Sequence, residues 1–303
     1  MRPTLWAEFE HALRRYGDRV AVSDGDRRLT YADVDPWSAA IAHQLRELGV
    51  RSGDAVGLHL DNCAEFVVAD VAIARLGAVK VPVNPLLTEA TVAHVLATAA
   101  VCALVVGPRT APTALAASRA APGVVLLEVG GGPIPLADPP SALPSAAPRP
   151  SAPRPDPPVS STDTAAVYFT GGTTGLPKGV VHTQASAVAV HYAQLLEAEI
   201  GQDERLLLAT PLAHAAGLFA QSALIRGATV VLLDGFDAHR VLDALGHERI
   251  TWTFLVPTMI YRLLAAAADR PPLRHALRTI VYGAAPISPM RLAQALDVFG
   301  PVF

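Results

Sequence analysis

The chain has little cysteine, little charge and no long unbroken apolar run, and each shortage narrows what it is expected to be. Only two cysteines occur in 303 residues, Cys63 and Cys102, and their separation fits neither a metal nor a redox spacing. They read as buried thiols of a reducing compartment, which points to the cytoplasm. Charged residues make up 17% and the formal net charge is −3, with an isoelectric point of about 6.4. There is no basic surplus to neutralise a phosphate backbone, so nucleic acid is not an expected partner. No stretch approaches the length of a membrane-spanning helix, so no transmembrane segment is expected. The opening MRPTLWAEFEHALRRYG breaks its apolar residues with Glu8, Glu10 and His11; it lacks a signal-peptide core and reads as an amphipathic surface helix. What is present is hydrophobic material, 51% of the residues, enough for one large domain or two ordinary ones.

The pattern along the chain alternates strand-like and helix-like segments. Residues 54–60 (DAVGLHL), 78–84 (AVKVPVN), 103–107 (ALVVG) and 124–129 (VVLLEV) read as strands. A helix is expected from Asp35–Pro36, with proline at its first position, to Gly49, and others over 64–76 and 88–100. From Pro139 to Pro158, nine of twenty residues are proline, which precludes ladder or helix hydrogen bonding and marks an extended connector. Alternation resumes with AAVYFT (165–170) and RLLLATP (205–211), then ATVVLLD (228–234), ITWTFLV (250–256) and RTIVYG (278–283). Helices fall between them, the last starting from Ser288. The expected fold is α/β, two doubly wound subdomains with mainly parallel sheets in an αβαβα-type layered arrangement. The expected boundaries are 1–138, a Pro/Ala-rich connector over 139–160, and 161–303 carrying the glycine-rich loop.

Residues 168–179 read YFTGGTTGLPKG. A strand, a glycine-rich turn and then a helix would aim backbone N–H groups and a helix N-terminus at an anion. Gly171, Gly172 and Gly175 allow close backbone approach, Thr170, Thr173 and Thr174 offer hydroxyls, and Lys178 offers positive charge. The inventory suits a polyphosphate, and the alternative is a bend that glycines merely permit. It matches neither G-x-x-x-x-G-K-[ST] nor G-x-G-x-x-G. His214 follows the strand 205–211 and Gly283–Pro286 follows 278–283, so both are expected at carboxyl edges, where doubly wound sheets bind ligands. A lone histidine is more often structural, and GAAP by itself is an ordinary strand-to-helix turn.

GGTTGLPKGVVHT resembles the phosphate-binding signature of the adenylate-forming (AMP-binding) superfamily, Tyr-Thr-Ser-Gly-Thr-Thr-Gly-x-Pro-Lys-Gly. Phe169 stands at the tyrosine, Thr170 at the threonine and Gly171 at the serine; Gly172, Thr173, Thr174, Gly175, Pro177, Lys178 and Gly179 match. LTYADVD (29–35), NCAEFVVADVAIARLGAVKVPVNP (62–85), TPLAHAAGL (210–218), FLVPTMIYRLL (254–264) and LRTIVYGAAPIS (277–288) resemble further blocks in family order. The double glycine and the Gly-Ala-Ala-Pro block favour the acyl-CoA synthetase branch.

The resemblance implies an ATP-dependent acid–CoA ligase, using Mg²⁺ and CoA, that makes an acyl-AMP from a carboxylic acid, fatty or aryl. It implies that Thr170, Gly171, Gly172, Thr173, Thr174, Gly175 and Lys178 hold the departing phosphates. His214, Gly283, Ala284, Ala285 and Pro286 would line the acyl and adenine pocket. Carrier-protein pantetheine is the alternative acceptor, and a non-catalytic nucleotide-binding fragment is the alternative from another class. The chain ends before the family's Tyr-Gly-x-Thr-Glu block and before the domain bearing its catalytic lysine. The expectation is therefore a truncated large domain with no assigned catalytic residue and little activity alone.

Overall fold

A computed structural model describes residues 4–130, 159–170, 175–268 and 270–303. The chain begins with α1 (Leu5–Arg15), β1 (Val20–Asp24), β2 (Arg27–Thr30), α2 (Tyr31–Glu47) and β3 (Ala55–His59). Next come α3 (Ala64–Leu76), β4 (Val79–Pro82), α4 (Glu89–Thr98), β5 (Val101–Val106), α5 (Ala111–Ser118) and β6 (Val125–Glu128). After the proline-rich tract follow β7 (Thr164–Thr170), β8 (Lys178–Thr183), α6 (Gln184–Glu197) and β9 (Arg205–Leu208). The rest is α7 (Ala215–Arg226), β10 (Thr229–Leu232), α8 (Ala238–His247), β11 (Trp252–Leu255), α9 (Pro257–Ala267), β12 (Thr279–Tyr282) and α10 (Pro289–Phe299). The α/β class is as expected. Residues 139–158 of the expected connector lie outside the described residues. Among the described residues no helix is long and apolar enough to cross a membrane.

Local chemistry sets most boundaries. The Thr4 hydroxyl accepts from Ala7 N to start α1, whose Leu5, Phe9, Ala12 and Leu13 form one buried face while Arg14 and Arg15 suit its C-terminal dipole. The helix expected from Asp35–Pro36 starts earlier. Thr30 and Asp33 form a reciprocal capping box at the head of α2. That cap, with the burial of Tyr31 and Val34, outweighs the one intrahelical donor that Pro36 lacks.

The chain divides into two compact units, Met1–Asp18 with Thr30–Asp61 and Glu65–Val190, and Arg19–Leu29 with Asn62–Ala64 and His191–Phe303. Sheet membership does not follow the expected cuts at 138 and 161. The first unit holds a six-stranded sheet in the order β6-β5-β3-β4-β7-β8, parallel except that β8 runs antiparallel to β7. The second holds β12-β11-β9-β10-β1-β2, in which β1 pairs parallel to β10 through Val22↔Val230. Long-range backbone pairing thus draws β1 and β2 into one sheet and β7 and β8 into the other. β5 reads as a near-continuous apolar run because both faces of a parallel sheet are covered, while β3 and β4 each bury one polar side chain, His59 and Lys80. Val92, Val95 and Leu96 of α4 pack with Val81, Leu104 and Val106 in the first core. Val241, Leu245, Ile260, Leu263 and Phe299 pack with Leu207, Val231 and Ile280 in the second.

Candidate functional site

The glycine-rich loop joins β7 to β8 as an antiparallel hairpin, with Thr170 opposite Lys178 and Phe169 opposite Gly179. No helix follows it directly, contrary to the expected strand–turn–helix. Val180, Val181 and Thr183 are β-branched and take the ladder to β7, so α6 begins only at Gln184. An anion here would meet Lys178 and backbone donors without the end of a helix dipole. Gly171, Gly172, Thr173 and Thr174 lie outside the described residues. Thr170, Gly175 and Lys178 are all exposed, at the two ends of the loop. Gly175 has φ +155°, a backbone that side chains disfavour. At Gly179 a β-carbon would stand 2.9 Å from Val167 Cγ1 and 3.3 Å from Phe169 Cζ, so glycine lets the hairpin close.

Beneath the hairpin sits a buried charge. Lys80 Nζ of β4 lies 2.9 Å from Asp70 Oδ2 of α3, with side chains 4% and 6% exposed, and 5.6 Å from the ring centroid of Tyr168. Burial alone would push the ammonium down, but Asp70 prevails and the Lys80 pKa lies above its ordinary value. Burial likewise raises the Tyr168 phenol, so it stays protonated. The Tyr168 ring meets His182 of β8 edge-on at 5.3 Å, tying the two hairpin strands together.

In the second unit the connection after β9 runs through α7 to β10, on one side of β9, whereas β11 lies on its other side and leads on to β12. Adjacent strands whose connections diverge leave a crevice at their carboxyl ends, the usual ligand position in such sheets. Residues 209–214 leave β9 there. Asn62 clamps them: its Nδ2 donates to Thr210 O and its Oδ1 accepts from Leu212 N, both at 2.9 Å. A β-carbon at Gly217 would collide with the Leu212 carbonyl oxygen, so only glycine allows this approach. His214 is the N-cap residue of α7. Its side chain reaches solvent, yet partial desolvation lowers its pKa and favours neutral imidazole.

Gly283, Ala284, Ala285 and Pro286 leave β12 at the same carboxyl edge, one strand beyond β11. Gly283 N donates to Leu255 O at 3.3 Å, and the Tyr261 hydroxyl accepts from Ser288 N at 3.0 Å. Ala284 has φ +68°, a left-handed backbone that costs an alanine about 1–2 kcal/mol. Ala284, Ala285 and Pro286 are exposed. The clamp Asn62 escaped sequence reasoning, and so did the Lys80–Asp70 pair; polar letters inside NCAEF and AVKVP were the available signal. Among the described residues no three His, Cys, Asp or Glu side chains cluster as a metal site.

A family profile described as AMP-binding enzyme matches residues 9–303. A medium/long-chain-fatty-acid–CoA ligase, FadD8, of Mycobacterium tuberculosis is 33% identical over 299 residues, covering 96% of this chain and 52% of its own length. A feruloyl-CoA synthase of Amycolatopsis is 35% identical over 284 residues, with 92% and 54% covered. Among solved structures, amide bond synthetase McbA from Marinactinospora thermotolerans superposes with a TM-score of 0.82 at 29% identity, covering 98% of this chain and 58% of that one. The chain spans about half the length of the curated relatives it matches.

Proposed function

The chain belongs to the AMP-binding enzyme family, and on that premise we propose that it is the large-domain part of an ATP-dependent acid–CoA ligase. A substrate carboxylate attacks the α-phosphorus of ATP, the P–O bond to pyrophosphate breaks, and acyl-AMP forms. The CoA thiol then takes the acyl group and AMP leaves. A carboxylate needs no base near neutral pH, so the protein's task is positioning and charge neutralisation. Residues 170–175 and Lys178 hold the β- and γ-phosphates. Neutral His214 donates a hydrogen bond to the acid, and residues 283–286 line the adenine and acyl pocket. Mg²⁺ arrives on the phosphates; it commonly takes one or two carboxylates plus phosphate oxygens, which requires no preformed three-residue cluster. The acid is fatty or aryl, a reading supported by the fatty-acid and feruloyl ligases among the relatives. Cys63 and Cys102 form no disulfide, which suits a reducing cytoplasm.

The observation that carries this reading is a lysine at the head of β8, opposite Thr170, closing a glycine- and threonine-rich loop. The test is titration of the chain with Mg·ATP and with AMP, followed by acid-dependent ATP–pyrophosphate exchange with medium-chain fatty and hydroxycinnamic acids. Wild type binds Mg·ATP, and Lys178→Ala weakens it about tenfold or more while sparing AMP. Failure to bind either nucleotide would sink the reading. A second reading keeps acyl-AMP and changes the acceptor: the likeness to an amide bond synthetase favours an amine, with carrier pantetheine a further thiol. Trapping acyl-AMP and offering CoA, a carrier or an amine separates the three.

A further inference from the structure

Helix α4 reaches the hairpin through one polar side chain. His94 Nε2 lies 2.9 Å from the carbonyl oxygen of Pro177, across 83 residues of sequence. The His94 ring meets Phe169 edge-on, with centroids 6.4 Å apart and planes at 82°. Phe169 in turn lies over Gly179, its strand partner. One histidine therefore touches a residue just before the loop and the last carbonyl before Lys178. A carbonyl only accepts, so Nε2 carries the proton; Nδ1 faces the Thr98 hydroxyl at 3.5 Å, which supplies a donor. The fully buried face of α4 is Val92, Val95 and Leu96, and His94 is half-buried outside that set. Pro177 has no N–H, and its carbonyl is its whole backbone hydrogen-bonding capacity.

We propose that His94 is a positioning residue for Lys178. By holding the Pro177 carbonyl against α4 it fixes the base of the lysine, and by its edge-on contact with Phe169 it fixes the strand that enters the loop. The ladder from Thr170↔Lys178 onward is intact without it, so losing His94 loosens the lysine without unfolding the sheet. The proposal rests on the phosphate reading of the preceding section and deepens it.

The experiment compares the wild-type chain with His94→Ala and His94→Gln, whose amide N–H keeps a donor. Titration with Mg·ATP and with AMP is paired with amide hydrogen exchange over residues 175–180. We expect His94→Ala to weaken Mg·ATP about tenfold, to leave AMP within about twofold, and to speed exchange over 175–180. His94→Gln should recover most of both. Unchanged Mg·ATP affinity in His94→Ala, equal weakening of ATP and AMP, or no recovery in a folded His94→Gln would each overturn the proposal. A wild-type chain that binds neither nucleotide overturns the phosphate reading and the proposal with it. The exchange data then show whether the His94–Pro177 contact itself failed: exchange unchanged in His94→Ala means that it did.

Discussion

The two sheets have six strands each and are mostly parallel, yet they present their loops by different means. In the first unit the loop is carried on an antiparallel hairpin at the edge of the sheet, and side chains brace it from below. Lys80 and Asp70 are both buried there, with Tyr168 and His182 above them. In the second unit the crevice follows from topology, at the divergence of β9 and β11, and backbone constraints shape its rim through Asn62, Gly217 and Ala284. Its ion pairs keep a solvent-facing member, as in Arg278–Glu204 at 60% and 8% exposure. An edge hairpin has a neighbour on one side only, so it takes its rigidity from beneath. A central crevice inherits rigidity from the strands on both sides of it.

The sharpest way to break this contrast is Lys80→Met. It leaves the Asp70 carboxylate buried without its cation, and the expected cost is about 3–5 kcal/mol in urea unfolding. Lys80→Met with Asp70→Leu should recover most of that loss, since an apolar pair of similar volume is often neutral. A single-mutant cost below about 1 kcal/mol would mean that the hairpin is not braced by this charge.

Gly217→Ala comes next, at about 2–3 kcal/mol, because the new methyl meets backbone that cannot rotate away. Asn62→Ala follows at about 2 kcal/mol, since the buried Leu212 N–H loses its acceptor and Thr210 O its donor. Hydrogen exchange should report faster opening of 209–214 in both variants. If exchange there is unchanged, the crevice rim owes its shape to the strands alone.

What could be read ahead of the structure, and what could not, divides along the same line. α3 at 64–76 and the Ser288 start of α10 matched their residues closely because the signals are local, a compact apolar run and a proline at the first turn. The parallel habit of β3, β4 and β5 was legible in the alternation of short strand-like runs with helices. β8 was not, because Val180–Thr183 follows a loop that in other folds opens a helix, and only its partner β7 decides the matter. Nor was the recruitment of β1, whose partner Val230 is remote in the chain. Of the candidate site, the residue types at 175, 178, 214 and 283–286 were legible. The braces were not: Asn62 acts on backbone 148 and 150 residues away, and His94 on backbone 83 residues away.

Ala284 gives the smallest effect and the finest discrimination. Four described non-glycine residues have positive φ: Ala100, Glu199, Arg249 and Ala284. The first three stand just after α4, α6 and α8, where a left-handed residue ends a helix and satisfies its last carbonyls. Ala284 follows a strand, β12, where no helix demands that conformation. Glycine at Ala100 or at Ala284 should raise stability by a similar amount, up to about 1 kcal/mol, since each relieves the same clash. The two should part company on ligand. Ala100→Gly leaves nucleotide binding untouched, whereas Ala284→Gly trades a fixed rim for a looser one and weakens it by about twofold to fivefold. If both variants gain stability and neither alters binding, the strained backbone at 284 belongs to the turn alone, and the second unit's rim rests on Asn62 and Gly217.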